Sequence, residues 1–190
     1  MGTAGKRYSN RERRKGKSMN TPEFKRLMQI GVIVRNVDEA VANYEAIGIG
    51  PWEVSTMDNR FPPFDDLKID GRTLTQKGPI IKTAMLSIYG LELELIEPIA
   101  DTNYKKWLDE HGPGIHHVAF DTATPYERLL AGWKEKNGKD PWVRGEAIHG
   151  VMDFSYLDLR EELGLIVECY KNLQPGKPAI PYDMKGEIIS

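Results

Sequence analysis

One order of features occurs twice in this chain and constrains its fold more than any other property. An apolar strand pattern at residues 29–34 leads into a helix pattern and later into a strand pattern at 93–98, and residues 117–121 begin the same order, which ends at 166–169. Each copy opens on a side chain that can bind a metal, Gln29 or His117, and closes on a strand carboxylate, Glu94 or Glu168. Two copies of about 70 residues predict one duplicated domain whose four side chains meet in a cleft.

The two helix patterns carry similar start signals. Asn36, with Glu39 three positions later, forms a capping box at the start of the first helix. In the second copy Thr124 is the predicted N-cap, Pro125 occupies the first helical position and Gly138 follows the last turn. The shared signals favour duplication, although two unrelated strand-helix-strand units would resemble each other in outline.

Composition excludes several classes of protein. With 190 residues, 40% of them hydrophobic, the chain can bury a sizeable core, and no apolar run approaches the roughly 20 residues that span a bilayer. A soluble protein is therefore expected, not a membrane protein. The single cysteine, Cys169, cannot form an internal disulfide or a thiolate zinc site, which fits the cytoplasm. Any metal must be held by oxygen and imidazole ligands.

Charge is unevenly distributed along the chain. Residues 1–18 carry seven Lys or Arg against one Glu, whereas the other 172 residues carry 19 basic and 27 acidic side chains. This basic segment lacks apolar periodicity, so we expect a solvated arm. It also lacks the apolar core of a signal peptide, so we do not expect secretion. The acidic body argues against nucleic-acid binding. The predicted organisation is an arm at 1–22, one domain at 23–175 (modules 26–98 and 114–171, linking helix 101–111), and a tail at 176–190.

The closing strand of each copy places its carboxylate differently. Leu91 to Ile96 alternates leucine with glutamate, so the leucines should pack under a helix while Glu92 and Glu94 face water or a polar cleft. Glu168 stands alone in an apolar run, which predicts a central strand.

These motifs resemble the vicinal oxygen chelate superfamily of glyoxalase I, extradiol dioxygenases and bleomycin-resistance proteins, and most closely its methylmalonyl-CoA epimerase branch. The resemblance covers about residues 26–171. It implies an α+β fold in which two paired βαβββ modules form a cupped, incomplete barrel around one metal site. The segments that carry it are Gln29 to Val32, Asp38 to Tyr44, Leu93 to Pro98, Gly114 to Phe120, and Val167 with Glu168.

The resemblance implies one divalent metal ion held by Gln29, Glu94, His117 and Glu168. Position 29 departs from the family, where histidine is usual, and glutamine offers an amide oxygen that binds metals more weakly. One nitrogen and three oxygen donors favour Mn²⁺ or Mg²⁺, with Co²⁺ and Zn²⁺ still possible. The alternative is a degraded site that binds a ligand without chemistry.

Two further histidines, His116 and His149, are candidates for the cleft. His116 and His117 are adjacent, so on a regular strand they point to opposite faces and one of them enters the cleft. Register with Gln29 selects His117 and leaves His116 a supporting role. His149 lies in a turn before a strand, where a surface histidine is favoured over a catalytic one.

The activity that the resemblance implies is an isomerase, an epimerase or racemase that moves a proton at a carbon α to a carbonyl through a metal-stabilised enolate. Glu168 matches the position that serves as both ligand and base, and Glu94 is the other catalytic candidate. The epimerases' second base, on the strand before Glu94, is not evident, because that strand offers Lys82 and Thr83 instead. The departure puts methylmalonyl-CoA in doubt as the substrate.

Several substrates and classes remain open. The expected partner is a small carbonyl compound, either a CoA thioester or an aromatic ketone such as a dihydroisoflavone, and the insert 57–79 either reshapes the cleft or packs as a surface loop. The competing activities are a glyoxalase-type isomerase or lyase and a non-catalytic resistance protein. A ferrous dioxygenase is disfavoured because Gln29 removes one of its two histidines. A homodimer is expected by resemblance.

Overall fold

The structure is a computed structural model that describes residues 24–122 and 124–171. All ten of its strands belong to one open, curved sheet with the order β2-β5-β6-β1-β7-β10-β9-β8-β3-β4. The predicted arm at 1–22 and the tail at 176–190 lie outside the described residues. The strands are β1 Phe24–Ile33, β2 Glu53–Asp58, β3 Lys68–Ile69, β4 Arg72–Thr73, β5 Pro79–Ile88, β6 Leu91–Pro98, β7 Gly114–Thr122, β8 Val143–Ala147, β9 Met152–Leu159 and β10 Leu165–Tyr170. The helices are α1 Val37–Ala46, α2 Asn103–His111, α3 Tyr126–Asn137 and α4 Arg160–Leu163.

The two halves of the sheet repeat one arrangement. In each half the first strand pairs in parallel with the last, β1 with β6 and β7 with β10, and the two middle strands of that half follow outward. The first strands β1 and β7 lie side by side and antiparallel at the centre. The expected α+β fold with an open cup is confirmed.

The insert between β2 and β5 adds two strands to this plan. Its hairpin of β3 and β4 pairs with β8, so a segment of the first half extends the far edge of the second half. Phe64 and Leu67 of the insert are buried in the main core cluster. The insert is therefore part of the core, although Phe61 remains exposed.

The helices α1 and α3 cover the sheet face opposite to the predicted ligands. Leu95, next to Glu94, is fully buried in a cluster with Val37 of α1, as its strand alternation predicts. Val167, next to Glu168, packs in a second cluster with Leu129 of α3. The other face of the central strands is left for the main core cluster, helix α2 and the candidate site.

The helix starts differ in how well the sequence predicted them. The Asn36 side chain accepts a hydrogen bond from the Glu39 amide at 2.8 Å, which confirms the capping helix start. The expectation of a Thr124 cap was wrong, because α3 begins at Tyr126 with Pro125 in the cap position and no side-chain cap. The extended ψ of Pro125, 140°, places it outside the helix. No helix within the described residues is long and apolar enough to cross a membrane.

Candidate functional site

Four neighbouring central strands each contribute one of the predicted ligands. Gly31 of β1 is in register with both Glu94 of β6 and His117 of β7, and Ala119 of β7 is in register with both Gln29 and Glu168. Since paired residues and residues two apart share a face of a sheet, all four side chains point to the same side. The structure brings them together as the duplicated pattern predicts.

The His117 imidazole is the centre of this group. Its Nε2 lies 2.9 Å from Oε2 of Glu168 and 3.8 Å from Oε2 of Glu94. The amide oxygen of Gln29 lies 3.4 Å from the same nitrogen. His117 and Gln29 are fully buried, and Glu168 and Glu94 nearly so. One nitrogen and three oxygens therefore converge in a site shielded from water.

Tyr170 is a site residue that the sequence analysis missed. Its hydroxyl lies 2.8 Å from both Gln29 Oε1 and Glu168 Oε2, two acceptors that share its single proton. The hydroxyl thereby joins the first strand of one half to the last strand of the other. The sequence carries only a weak signal for this role. Tyr170 is two residues after Glu168 and shares its face of the strand, but an aromatic residue at such a position usually belongs to the core.

Burial perturbs the ionisable groups of the site. Burial raises the pKa of Glu94 to about 7, and the nearby His117 offsets part of that rise. Burial alone would lower the pKa of His117, but the carboxylates of Glu168 and Glu94 outweigh it, so this pKa is raised above its usual value. The two carboxylates thus make a positive charge more favourable at the centre of the buried group.

The residues present fit a divalent metal ion. The donor set is one imidazole, one amide oxygen and two carboxylates, which suits oxygen-preferring divalent ions. The Tyr170 hydroxyl fixes the Gln29 amide with its oxygen toward His117, while Gln29 Nε2 is buried without a partner among the described residues. The Gln29 oxygen is therefore the amide atom that faces the other three candidate ligands.

The expectation that His116 and His117 point to opposite faces was wrong. The register shifts from Gly31 opposite His117 to Val32 opposite Ile115, so His116 is the extra residue of a β-bulge. Both rings are buried, and their Nδ1 atoms lie 3.0 Å apart. Burial, with the charge of His117, lowers the pKa of His116 to about 2, so its imidazole is neutral.

The strand before Glu94 supplies no further acid to the site. Lys82 points away from the cluster and pairs with Asp38 of α1 at 2.5 Å. Thr83 faces Ser55 at 3.0 Å, and Met85 is the residue in register with Glu94. The structure therefore agrees with the sequence: β5, which lies wholly within the described residues, offers no second base to the site.

His149 belongs to a separate, exposed group. Its ring lies 3.5 Å from the Asp65 carboxylate and 3.7 Å from the Asp66 carboxylate, both on the insert. The Asp66 carboxylate also accepts a hydrogen bond from the His149 backbone amide. The ligand atoms of these three side chains lie within 4.8 Å of one another. The His149 side chain is 66% exposed and does not join the buried cluster.

A cavity of about 180 Å³ lies beside the cluster. Apolar side chains of the insert and of β5, β8 and β9 form most of its wall, and residues 101–106 at the start of α2 line one side. His116, Tyr104 and Tyr156 also line it, whereas none of the four predicted ligands does. Tyr156 connects the two regions, because its ring also lies 4.9 Å from that of His117.

Comparison with known proteins identifies the superfamily to which the chain belongs. A model of the Glyoxalase/Bleomycin resistance protein/Dioxygenase superfamily matches residues 28–149. The chain belongs to this superfamily, also called the vicinal oxygen chelate superfamily. No curated protein sequence matches the chain.

Solved structures with the same fold include several methylmalonyl-CoA epimerases. The Streptomyces coelicolor enzyme in complex with 2-nitronate-propionyl-CoA is 23% identical, with a TM-score of 0.56 over 82% of this chain and 99% of the epimerase. The Mycobacterium tuberculosis epimerase is 16% identical, with a TM-score of 0.53 over 83% of this chain and 94% of its own. A hypothetical protein from Bacillus halodurans is 22% identical, with a TM-score of 0.51 over 80% of this chain and 97% of its own. At these identities the likeness concerns the fold.

Proposed function

We propose that the chain is a metal-dependent epimerase or racemase that exchanges a proton at a carbon α to a carbonyl. The observation that carries this proposal is the buried group in which His117 Nε2 lies 2.9 Å from Glu168 and 3.8 Å from Glu94. Gln29, Glu94, His117 and Glu168 would hold one Mn²⁺, Co²⁺, Mg²⁺ or Zn²⁺ ion. Such an ion, when bound, supplies a Lewis acid that polarises a carbonyl oxygen.

In this proposal the two carboxylates transfer protons from opposite sides of the substrate. Glu94 is on β6 and Glu168 on β10, with β1 and β7 between them. In this proposal the Glu168 carboxylate removes the α-proton and the Glu94 carboxyl returns one to the opposite face of the planar enolate. The Tyr170 hydroxyl and His117 hold the Glu168 carboxylate in one orientation. Burial of both acids excludes bulk water from the proton transfer.

The substrate in this proposal is a small carbonyl compound. The methylmalonyl-CoA epimerases with this fold make a CoA thioester one candidate. The lack of an acid on the site face of β5 favours a different carbon acid, such as an aromatic ketone of the dihydroisoflavone type. A cytoplasmic homodimer is the form in which we expect the protein to act.

Metal analysis and isotope exchange test the proposal together. The full-length chain, purified and then titrated with each of the four metals, should bind one ion per chain. With that metal bound, incubation in heavy water with methylmalonyl-CoA or a dihydroisoflavone should introduce deuterium at the α-carbon, seen by mass spectrometry. Failure to bind any of the four ions would overturn the proposal, as would metal binding without exchange on either substrate.

A second candidate is a protein that binds a small molecule without transforming it, like the resistance members of the superfamily. The observation in its favour is that the 180 Å³ cavity is lined by His116 and aromatic side chains and by none of the four predicted ligands. Metal binding without isotope exchange, combined with tight binding of the same compounds, would favour this candidate over the epimerase.

A further inference from the structure

The cavity beside the cluster has the size and the wall of a binding site for an aromatic ring. Its volume of about 180 Å³ exceeds the roughly 150 Å³ of an apolar protein cavity that binds benzene. Trp142, Phe154, Tyr104 and Tyr156 contribute rings to its wall, and aliphatic side chains of the insert complete it. Ring stacking and burial of apolar area would favour an aromatic occupant over a polar one.

One buried nitrogen on this wall has no hydrogen-bond partner among the described residues. The His116 residue is only 3% exposed, and its Nε2 has no hydrogen-bond partner among the described residues. The hydroxyls of Tyr104 and Tyr156 form a hydrogen bond with each other at 2.6 Å, and neither of them is a partner of this nitrogen. A buried polar atom without a partner costs about 1–3 kcal/mol, a cost that a ligand with a matching atom would remove.

The contact with His117 determines which atom His116 offers. If His117 Nε2 gives its lone pair to the metal, its Nδ1 carries the proton and donates it to His116 Nδ1, 3.0 Å away. A neutral His116 that accepts at Nδ1 carries its own proton at Nε2. Nε2 is then a hydrogen-bond donor, a conclusion that rests on the metal site of the proposed function.

We propose that this cavity binds the aromatic end of a carbonyl compound, with His116 Nε2 donating a hydrogen bond to an oxygen of that ligand. The β-bulge creates this donor, because without the extra residue the His116 ring would turn to the helix-covered face. The arrangement deepens the proposed function by selecting aromatic ketones over CoA thioesters of short aliphatic acids. Thr102, whose buried Oγ1 also lacks a partner among the described residues, is a further polar atom on the α2 side of the cavity.

Two probes of nearly equal shape test the donor. Acetophenone has an aromatic ring and a carbonyl oxygen, and α-methylstyrene replaces that oxygen with a methylene group. In titrations of the full-length, zinc-loaded chain followed by NMR, acetophenone should bind about tenfold more tightly, the equivalent of one net hydrogen bond of 1.4 kcal/mol. Equal affinities, or no binding of either probe, would overturn the proposal.

Two histidine variants test whether His116 is the residue that donates this hydrogen bond. His116→Phe keeps a ring but removes the donor, so it should bind both probes equally. His111→Phe makes the same change on the neighbouring helix end, outside the cavity wall, and should keep the tenfold preference. A preference that survives in His116→Phe would assign the donor to another group and overturn the proposal.

Histidine ¹⁵N spectra of the unmodified chain cover the case in which His116→Phe does not fold. The His116 Nε2 signal should be that of a protonated nitrogen and should shift with acetophenone but not with α-methylstyrene. Zinc binding in the same samples separates the two proposals. Bound zinc with an unprotonated or unresponsive His116 Nε2 overturns the cavity proposal alone, whereas failure to bind zinc overturns the metal site and with it the direction of the hydrogen bond.

Discussion

Gly31 lies opposite His117 across the β1–β7 pair, and a Cβ atom at position 31 would overlap the His117 imidazole. The backbone of Gly31 does not have the positive φ that favours glycine, so the residue is required for space. The His117 ring is fully buried and held by Glu168 and His116, and it cannot move aside without breaking these contacts. The absence of a side chain on β1 is thus what lets an imidazole from β7 occupy the centre of the site.

Gly31→Ala should therefore damage the site more than the fold. Overpacking of a buried position costs about 1–3 kcal/mol of stability, and displacement of the His117 ring should weaken metal binding at least about tenfold, as loss of ligand orientation does. Calorimetric titration with Mn²⁺ or Zn²⁺ and thermal unfolding measure the two effects.

The matched control for this variant is Gly145→Ala. Gly145 of β8 lies opposite Phe154 of β9, and a Cβ atom there would overlap the Phe154 ring in the same way. This variant should lose a comparable amount of stability but keep its metal affinity. Parent-like metal affinity in Gly31→Ala would show that His117 does not hold the ion.

Tyr170→Phe should weaken metal binding without removing a ligand. The hydroxyl contacts both the Gln29 amide and the Glu168 carboxylate, so its loss frees two of the three oxygen ligands to rotate. Loss of a group that orients metal ligands typically lowers affinity about 10- to 100-fold. Titration with the preferred metal measures the change.

Tyr126→Phe is the control for this loss of a buried hydroxyl. Its hydroxyl contacts Asp153 at 3.0 Å and Ser155 at 2.5 Å, away from the site, so the variant should lose about 1–3 kcal/mol of stability. Its metal affinity should stay that of the parent chain. Equal affinities in both tyrosine variants would mean that Tyr170 plays no part in orienting the ligands.

The sequence predicted the parts of the fold that depend on local patterns. Strand alternation placed Leu95 under a helix and Glu94 on the other face, and the Asn36 cap predicted the start of α1. The order of features in the two halves predicted which four side chains come together. These features follow from period-2 alternation and side-chain capping, which act over a few residues.

The parts that were missed depend on pairing between distant segments. The inward turn of His116 results from a register shift between β1 and β7, and nothing in the residues around position 116 marks it. The pairing of the insert strand β3 with β8 joins segments some 75 residues apart and has no local signal. Tyr170 acquires its role because folding places its hydroxyl beside Gln29, 141 positions earlier in the chain.

The basic segment at residues 1–18 should be dispensable for folding. It carries seven basic residues and no core-forming pattern, and it lies outside the described residues. A chain that starts at Met19 should have a melting temperature within about 2 °C of the full chain, the shift expected of a surface change. A drop of many degrees would show that the segment packs on the body or on a partner subunit.

Glu168→Gln should separate metal binding from catalysis. Glutamine keeps an oxygen that can accept from Tyr170 and face the ion, but it cannot take up a proton. Metal affinity should stay within about tenfold, while deuterium exchange at the substrate α-carbon falls about 10²–10⁴-fold, the contribution of a positioned general base. His117→Ala should instead lose metal and exchange together, because it removes the nitrogen ligand.

Glu97→Gln provides the matched control for Glu168→Gln. Glu97 is another strand glutamate, but its carboxylate accepts from the Val37 amide at the start of α1, so the variant should exchange α-protons at the parent rate. Parent-rate exchange in metal-loaded Glu168→Gln would mean that Glu168 is not the base. The base would then be sought at Glu94, because Lys82 is paired with Asp38 and His149 lies with Asp65 and Asp66 outside the cluster. Glu94→Gln would then be the variant in which exchange is lost.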